Sequence, residues 1–225
     1  MFDRLLKVIN KDELNKIKSQ KILLVGVGGV GGYALESLIR IGIENITIID
    51  NDIIDESNLN RQIISLHSNI GNYKVDEAKK RIIDINPNIN ITISKEFITK
   101  ENIDNIFKNK FDYIIDACDT ITTKVLLIKY AQRNNIPIIS CMGTGNRIDP
   151  TKIEIIDIYK TNNDPLAKIM RKLLKDEGIK HQDVIYSKEI PVKTKDRIPG
   201  STSLVPPVAG IYCAYYIINK ILKDL

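Results

Sequence analysis

The fold is decided by one stretch, which reads KILLVGVGGVGGYALESLIRIGIENITIIDND at residues 21–52. Its pattern predicts a short buried strand at Ile22–Val25, a glycine-rich turn, a helix at about Val30–Ile41 and a second strand at Ile46–Ile49. Strand, turn, helix and strand in this order are typical of a unit whose turn binds phosphate at the positive helix N-terminus. We therefore expect a nucleotide at this turn.

Glycine spacing and one carboxylate support this interpretation. Because glycine has no Cβ, the turn can bring backbone N–H groups close to a ligand; the glycines concerned are Gly26, Gly28, Gly29 and Gly31. Asp50 follows the second strand nineteen residues after Gly31, a spacing at which a carboxylate binds ribose hydroxyls. Since Gly26, Gly28 and Gly31 also fit GxGxxG, this region leaves open ATP, NAD and a turn that only packs a helix on a sheet.

Further apolar segments alternate with helical patterns along the chain. Strands are predicted at Ile89–Ile93, Tyr113–Asp116, Ile136–Ser140 and Ile153–Ile158, and helices from Lys74 to just before Pro87 and at Asp164–Lys175. This alternation predicts an α/β fold with a doubly wound, mainly parallel sheet and an extra C-terminal strand and helix region. At 225 residues, we expect a single domain that spans 1–225.

Composition limits the partners and the cellular location that we expect for the protein. The chain has 33 basic and 28 acidic residues, and the resulting net charge of +5 suits a polyanionic partner without requiring one. Cys118, Cys141 and Cys213 form no CxxC pair, so we expect neither a disulfide framework nor a zinc site, and a reducing cytoplasm is the expected location. The charged start of the chain argues against a signal peptide.

The last apolar segment, Leu204–Ile221, raises the question of a membrane. It is shorter than the roughly 20 apolar residues that a span needs, and Gly210 and several tyrosines interrupt it. We expect a helix that covers the sheet, with loose membrane association left open.

Cations and carboxylates after the second strand distinguish a triphosphate from a dinucleotide. Asp52, Asn58, Arg61 and Lys74 follow Asp50, and a triphosphate carries charge that an arginine and a lysine would neutralise. Either cation alone would ordinarily face solvent. Asp119 follows a predicted strand at the edge where ligands gather, which suits a Mg²⁺ ligand; a helix N-cap near Thr122 is the structural alternative.

Two segments outside the nucleotide-binding region are predicted to be an N-terminal arm and a basic insertion. Residues 1–20 are predicted to form a short helical arm with Arg4 near its start. Residues 160–203 form a basic insertion, and the segment from Lys160 to Arg197 contains ten basic and six acidic residues. That balance suits a nucleic-acid backbone, although a solvated helix surface explains it nearly as well. Within this insertion, Lys193–Ser203 is predicted to be a mobile loop near the site.

With these residues assembled, the chain resembles the ubiquitin-activating (E1-like) superfamily, which includes the adenylating enzymes of molybdopterin and thiamin biosynthesis. The features that carry the resemblance are GVGGVGG, the Asp50 and Asp52 pair, SNLNRQ, Gly71-x-x-Lys74 and DACD ending at Asp119. The resemblance implies a Rossmann-like adenylation domain that binds ATP. In it Asp50 would bind the ribose, Arg61 and Lys74 the phosphates, and Asp119 Mg²⁺. It also implies a homodimer in which Arg4 reaches into the partner's site.

The second half is similar to the tRNA threonylcarbamoyladenosine dehydratases within that superfamily. The similarity lies in GTGNRIDPTKIEIIDIYKTNNDPLAKIMRKLLK at residues 143–175 and in GSTSLVPPVAG further on, although the stretch Lys175–Ser203 is shorter than in many such enzymes. The CxxC pairs of sulfur-carrier activators and the thioester cysteine of ubiquitin-type enzymes are missing from the sequence. The resemblance implies ATP-dependent cyclisation of the threonylcarbamoyl group on a tRNA adenosine beside the anticodon, with the need for a sulfur-relay partner left open.

Three alternatives remain at this point. An activator of a small sulfur-carrier protein would use the same ATP residues and differ only in the acceptor. An NAD-dependent dehydrogenase would leave Arg61, Lys74 and Asp119 without a role. It would also need an acid–base residue, and the sequence offers none, since neither His67 nor His181 has a catalytic neighbour in sequence. A non-catalytic nucleotide-binding regulator would not need both phosphate cations.

Overall fold

The computed structural model describes residues 1–194 and 198–223. Three residues of the predicted mobile loop Lys193–Ser203, among them the basic Lys195 and Arg197, lie outside the described residues, as do the last two of the predicted domain.

Seven strands and seven α-helices make up the regular structure of the described residues. The strands are β1 (Lys21–Val25), β2 (Asn45–Ile49), β3 (Asn90–Ser94), β4 (Tyr113–Asp116), β5 (Ile138–Cys141), β6 (Ile153–Asp157) and β7 (Asp183–Ser187). The helices are α1 (Lys11–Ser19), α2 (Gly31–Ile41), α3 (Lys74–Ile85), α4 (Ile103–Ile106), α5 (Ile121–Arg133), α6 (Pro165–Asp176) and α7 (Val205–Lys223). Short 3₁₀ helices cover Leu5–Lys7, Glu56–Asn58, His67–Asn69, Pro150–Lys152 and Ile158–Lys160.

The strands form one sheet in the order β3-β2-β1-β4-β5-β7-β6. All neighbouring pairs are parallel except β6 and β7, which pair antiparallel from Ile153 opposite Ser187 to Asp157 opposite Asp183. The chain reverses its direction across the sheet between β1 and β4, and parallel sheets bind ligands at the carboxyl edge beside such a switch point. The predicted α/β class and mainly parallel sheet are confirmed.

Differences from the predicted elements have local causes. Strand β7 was not predicted, because DVIYS has only three apolar residues between polar neighbours. The predicted strand Ile136–Ser140 begins two residues later, at Ile138, since Pro137 has no N–H to donate to a neighbouring strand. Strand β6 ends at Asp157, whose carboxylate accepts a hydrogen bond from Tyr159 N at 2.9 Å and so starts a 3₁₀ turn.

Helices cover both faces of the sheet. Along β1, Ile22 and Leu24 pack into the core shared with α1, α2, α3 and α7, whereas Leu23 and Val25 pack into the core shared with α4, α5 and α6. All four side chains are buried, as expected for a central parallel strand. The two layers fix β1, and with it the turn that follows.

Helix α7 packs directly against α2, which agrees with the predicted covering helix. The contact depends on Gly210, because a Cβ there would lie 2.2 Å from the carbonyl oxygen of Val30 and 3.0 Å from the amide nitrogen of Ala34. In the part of the chain that the structure describes, no helix combines the length and the apolar character that crossing a bilayer requires.

The close contact at Gly210 gives a test of the fold. We expect Gly210→Ala to lower the free energy of unfolding by about 2–3 kcal/mol, because the added methyl group must push α7 away from α2. Urea denaturation measures this change. Tyr215→Ala, on an exposed position of the same helix, is the control and should change stability by less than about 1 kcal/mol. Equal effects of the two substitutions would contradict the packing argument.

Candidate functional site

A cavity of about 380 Å³ opens at the carboxyl ends of β1, β2 and β4. Nine of the predicted site residues line it: Gly26, Gly28, Gly29, Asp50, Asp52, Asn58, Arg61, Lys74 and Asp119. Residues from distant parts of the sequence complete its wall, namely Phe97, Cys118, Thr144, Ser201 and Pro206. The structure therefore gathers most of the predicted site in one place.

The glycine turn presents unused donors to this cavity. The backbone N–H groups of Gly28, Gly29 and Val30 donate to no other described residue. Gly31 does not line the cavity but allows the turn to form, because a Cβ there would lie 1.8 Å from the carbonyl oxygen of Gly26. Free N–H groups beside the N-terminus of α2 form an anion-binding site.

Asp50 is fixed at the end of β2. Its Oδ2 accepts a hydrogen bond from Val27 N at 2.6 Å, and its Oδ1 accepts one from Asp52 N at 2.8 Å. Burial raises the pKa of this carboxyl above its usual range, and the two backbone donors and Lys74 only partly oppose that effect. The carboxylate therefore has a fixed orientation beside the glycine turn, which suits recognition of ribose hydroxyls.

Lys74 is the first residue of α3, and its side chain is almost fully buried. Its Nζ lies 2.7 Å from Oδ2 of Asp52, while the side chain of Asp52 remains 59% exposed. The backbone N–H of Lys74 donates to the carbonyl oxygen of Asp52 at 3.0 Å, so two contacts connect α3 to the loop after β2. The ion pair holds a positive charge against the cavity wall.

Arg61 lies on the other side of the glycine turn. Its aliphatic stem borders Gly29, where a Cβ would lie 3.4 Å from Arg61 Cγ. Its Nη1 donates to the carbonyl oxygen of Ser57 at 2.7 Å and to Oδ1 of Asn60 at 2.8 Å. Nε and Nη2 donate to no described residue, so one edge of the guanidinium is available for a phosphate. Asn58 stabilises the 3₁₀ turn Glu56–Asn58 just before Arg61, since its Oδ1 accepts from Asp55 N at 3.2 Å.

Asp119 is exposed at the cavity edge. Thr120 is the residue at the N-cap of α5, and no side chain caps that helix, so the N-cap alternative for Asp119 does not match the geometry. The Asp119 carboxylate accepts one hydrogen bond from the hydroxyl of Thr120 at 3.4 Å and forms no ion pair with a described residue. It is an oxygen ligand free to meet a hard cation.

Arg4 does not line the cavity. It is exposed and precedes the 3₁₀ turn Leu5–Lys7 of the N-terminal arm. Within a single chain, therefore, the structure does not bring Arg4 together with the other predicted residues.

A buried ion pair beneath the cavity was not predicted from the sequence. Nζ of Lys124 lies 3.1 Å from both carboxylate oxygens of Asp116 and donates to the carbonyl oxygen of Cys141 at 2.7 Å. Asp116 also accepts hydrogen bonds from the hydroxyl of Ser140 and from the thiol of Cys118, the latter at 3.0 Å. The ion pair connects the ends of β4 and β5 under the cavity floor.

Burial and charge act in opposite directions on this pair. Burial is the largest single effect and would lower the pKa of Lys124, but the charge and hydrogen bond of Asp116, together with the nearby Cys118 and Cys141, outweigh it and raise the pKa to about 12. Burial, followed by the charge of Asp116, raises the pKa of Cys118, which therefore remains a protonated thiol and a poor nucleophile. A signal for this network exists in the sequence, because Lys124 occupies the apolar stripe of α5 with Leu127, Ile128 and Ala131.

The hydrogen bonds that join the loops on the cavity rim were also not predicted. Asn146 N donates to the carbonyl oxygen of Gly200 at 2.8 Å, and Gly200 N donates back to Asn146 Oδ1 at 2.6 Å. The side-chain amide of Asn60 donates to the carbonyl oxygen of Ser201 at 2.9 Å. These contacts hold the segment before α7 beside Arg61, although the two are far apart in sequence.

The fold and the cavity together define a nucleotide-binding α/β protein whose site combines free backbone donors, a ribose-type carboxylate and two cations. The family model described as the ThiF family matches residues 2–223 of the chain. The chain belongs to the ThiF family, and the predicted resemblance is confirmed.

Proteins named for a tRNA-modifying activity match nearly the whole chain. The tRNA threonylcarbamoyladenosine dehydratase of Bacillus subtilis is 39% identical over an alignment of 242 residues, and this alignment covers 100% of this chain and 95% of that protein. The Escherichia coli tRNA N6-threonylcarbamoyladenosine dehydratase, solved in complex with ATP, matches with a TM-score of 0.94 and 33% identity over 99% of this chain and 94% of that one. The same enzyme in complex with AMP matches with a TM-score of 0.93 and 33% identity over 97% and 92%.

The buried pair under the cavity leads to a stability prediction. We expect Lys124→Met to lower the free energy of unfolding by about 3–5 kcal/mol, because it leaves the Asp116 carboxylate buried without a cation. Adding Asp116→Asn should recover part of that loss, since the unpaired charge is then removed. Urea denaturation of both variants measures these changes.

The matched control is Lys129→Met on the same helix, where the lysine is partly exposed and pairs with Glu177 at 2.6 Å. Its cost should stay below about 1 kcal/mol. If Lys124→Met is no more destabilising than this control, the pair does not support the cavity floor.

Proposed function

We propose that this protein is an ATP-dependent tRNA threonylcarbamoyladenosine dehydratase that acts through an acyl-adenylate. The observation that carries the proposal is the cavity itself, which combines the free N–H groups of the turn with Asp50, Arg61 and Lys74. The full-length similarity to proteins named as such dehydratases, one of them solved with ATP, supports the same conclusion.

ATP occupies the cavity with its ribose at Asp50 and its phosphates at the glycine turn. The ammonium of Lys74 and the free edge of the Arg61 guanidinium meet the phosphate charge from two sides. Both groups are held in place before binding, Lys74 by Asp52 and Arg61 by Ser57 and Asn60. Such preorganised donors stabilise charge that develops during reaction without a cost of reorganisation.

Adenylation is the first chemical step. One carboxylate oxygen of the threonylcarbamoyl group attacks the α-phosphorus of ATP, the bond to the bridging oxygen breaks and pyrophosphate leaves. A carboxylate is already ionised at neutral pH, so no general base is needed. Arg61, Lys74 and the turn N–H groups position the phosphates and neutralise their charge.

Ring closure is the second step. The carbamoyl part of the same nucleoside attacks the acyl carbon, AMP leaves with one former carboxylate oxygen, and a proton is released as the five-membered ring closes. The substrate loses the elements of one water in total. Intramolecular attack benefits from effective molarities of about 10⁵ M or more, so the protein has mainly to exclude bulk water from the activated ester.

Mg²⁺ belongs to this proposal as a partner of the phosphates. The exposed carboxylate of Asp119 fits it, because it lines the cavity, has no cation partner among the described residues and offers the oxygen ligand that Mg²⁺ prefers. When bound, the ion would supply positive charge at the phosphates. A single protein carboxylate suffices, since Mg²⁺ at nucleotides takes most of its ligands from phosphates and water.

The proposal extends to the oligomeric state and the cellular location of the enzyme, which the family resemblance implies, and to a candidate protein partner. We expect a homodimer in which Arg4, exposed and outside the cavity of its own chain, reaches into the partner's site. A cytoplasmic location suits a tRNA substrate, and a sulfur-relay protein is a candidate partner. The domain would be a single unit over 1–225 with the basic insertion 160–203.

An activator of a small sulfur-carrier protein is the second candidate, because it would use the same cavity for ATP. The two functions differ in the acceptor alone. ATP–pyrophosphate exchange that a carrier protein stimulates and modified tRNA does not would favour this alternative.

The cavity cations give the test of the proposed chemistry. We expect Lys74→Ala and Arg61→Ala each to reduce ATP-dependent cyclisation by about 10²-fold or more, because each removes one charge from the phosphates. The assay incubates the protein with ATP, Mg²⁺ and threonylcarbamoyl-modified tRNA and follows the loss of one water from the nucleoside by mass spectrometry.

Lys80→Ala is the matched control, since Lys80 lies on the same helix as Lys74, is 69% exposed and, among residues 1–194 and 198–223, pairs with Glu77 alone. It should retain activity within about twofold, as expected for an exposed ion pair. Turnover of the Lys74 and Arg61 variants at the control rate would refute their assigned roles, whereas an inactive wild-type protein would refute the proposed function itself.

A further inference from the structure

A row of three lysines lies along the outer face of α6. Lys168, Lys172 and Lys175 follow one another at spacings of four and three residues, which places them on one side of a helix. All three are exposed, and none forms an ion pair with a carboxylate of the described residues. We call these three residues the α6 lysine row.

Other charged groups near this helix already have structural roles. The guanidinium of Arg171 donates to the carbonyl and hydroxyl oxygens of Thr161, the former at 3.0 Å. Glu177, just beyond the helix, pairs with Lys129. The remaining acidic residue of the helix, Asp176, cannot neutralise three lysines. The exposed side of α6 therefore carries a net positive charge that no ion pair in the described part of the chain neutralises.

The start of α6 is attached to the rim of the ATP cavity. Asp164 caps the helix by accepting from Ala167 N at 2.9 Å, and the same carboxylate accepts from Gly143 N at 3.1 Å. The residue after Gly143 is Thr144, which lines the cavity. At a rise of about 1.5 Å per residue, the lysine row lies about 6–16 Å along the helix axis from this attachment.

We propose that the α6 lysine row binds the sugar–phosphate backbone of the tRNA on one side of the modified adenosine. This inference rests on the proposed function, which requires that the nucleoside's carboxylate enter the cavity. The strand that carries the nucleoside must then cross the rim, and a row of unpaired cations begins at that rim. Lysines at successive helix turns can follow a chain of phosphates through charge alone, without reading the sequence.

The proposal makes a quantitative statement about salt. Each neutralised phosphate contributes about 0.7 to 0.9 to the slope of log affinity against log salt concentration. Loss of three contacts should therefore reduce the magnitude of that slope by about 2 to 3. A role limited to the solubility of the helix would leave the slope unchanged.

The experiment uses the full-length protein with two triple variants of equal charge change. One is Lys168→Gln, Lys172→Gln and Lys175→Gln; the control is Lys21→Gln, Lys108→Gln and Lys110→Gln, three exposed lysines at the amino edge of the sheet. Fluorescence anisotropy measures binding of modified tRNA over a series of potassium chloride concentrations. ATP binding without tRNA is measured for each protein.

We expect the α6 variant to bind tRNA at least about tenfold more weakly at low salt, with the smaller slope, while its ATP binding stays within twofold of wild type. The control should stay within about threefold for both ligands. Equal tRNA affinities and slopes for the two variants would overturn the proposal. So would an α6 variant that binds tRNA normally but loses binding to phosphatidylglycerol vesicles, because the row would then serve a membrane surface.

Failure of this inference is distinguishable from failure of the proposed function. If wild-type protein dehydrates the modified tRNA and the α6 variant does so with an unchanged KM, only the docking role of the lysine row is wrong. If wild-type protein does not act on this tRNA at all, the proposed function is wrong.

Discussion

The contact between the start of α2 and the turn before it is the constraint on which the site depends. Gly31 lies so close to the carbonyl oxygen of Gly26 that no side chain fits between them. This contact leaves the N–H groups of Gly28 to Val30 without acceptors among the described residues, in the lining of the cavity. Asp50 is fixed by the same turn, through Val27 N, so one backbone arrangement sets both the phosphate donors and the ribose acceptor.

The three cations around this turn differ in how much of their bonding capacity the protein itself satisfies. Lys74 and Arg61 are supported by neighbours that satisfy only part of their bonding capacity, so they can accept an anionic ligand. Lys124 is fully buried, and Asp116 and the carbonyl oxygen of Cys141 satisfy its ammonium, so it can take no ligand. The first two cations are therefore available for the proposed phosphate contacts, whereas the third stabilises the floor of the cavity.

The sequence revealed the parts of the site that are local and missed those that depend on long-range packing. The turn, Asp50 and the cations at 61 and 74 follow from spacing, because strand, turn and helix are adjacent in the chain. Strand β7 was missed because its three apolar residues are too few for a clear pattern. The link from Asn60 to Ser201 was missed because it joins residues 141 positions apart, which no local pattern can indicate. Whether Arg61, Lys74 and Asp119 act as assigned remains a prediction.

The position of α7 has a consequence for how the protein is made. Part of the cavity wall, Ser201 and Pro206, is synthesised about 170 residues after the glycine turn that it faces. Until α7 emerges from the ribosome, the apolar side of α2 that it covers, including Ala34 and Leu38, has no partner. A nascent chain at that stage exposes hydrophobic surface and is prone to aggregation, so chaperone protection should matter more for this protein than for one whose site is formed by its first half alone.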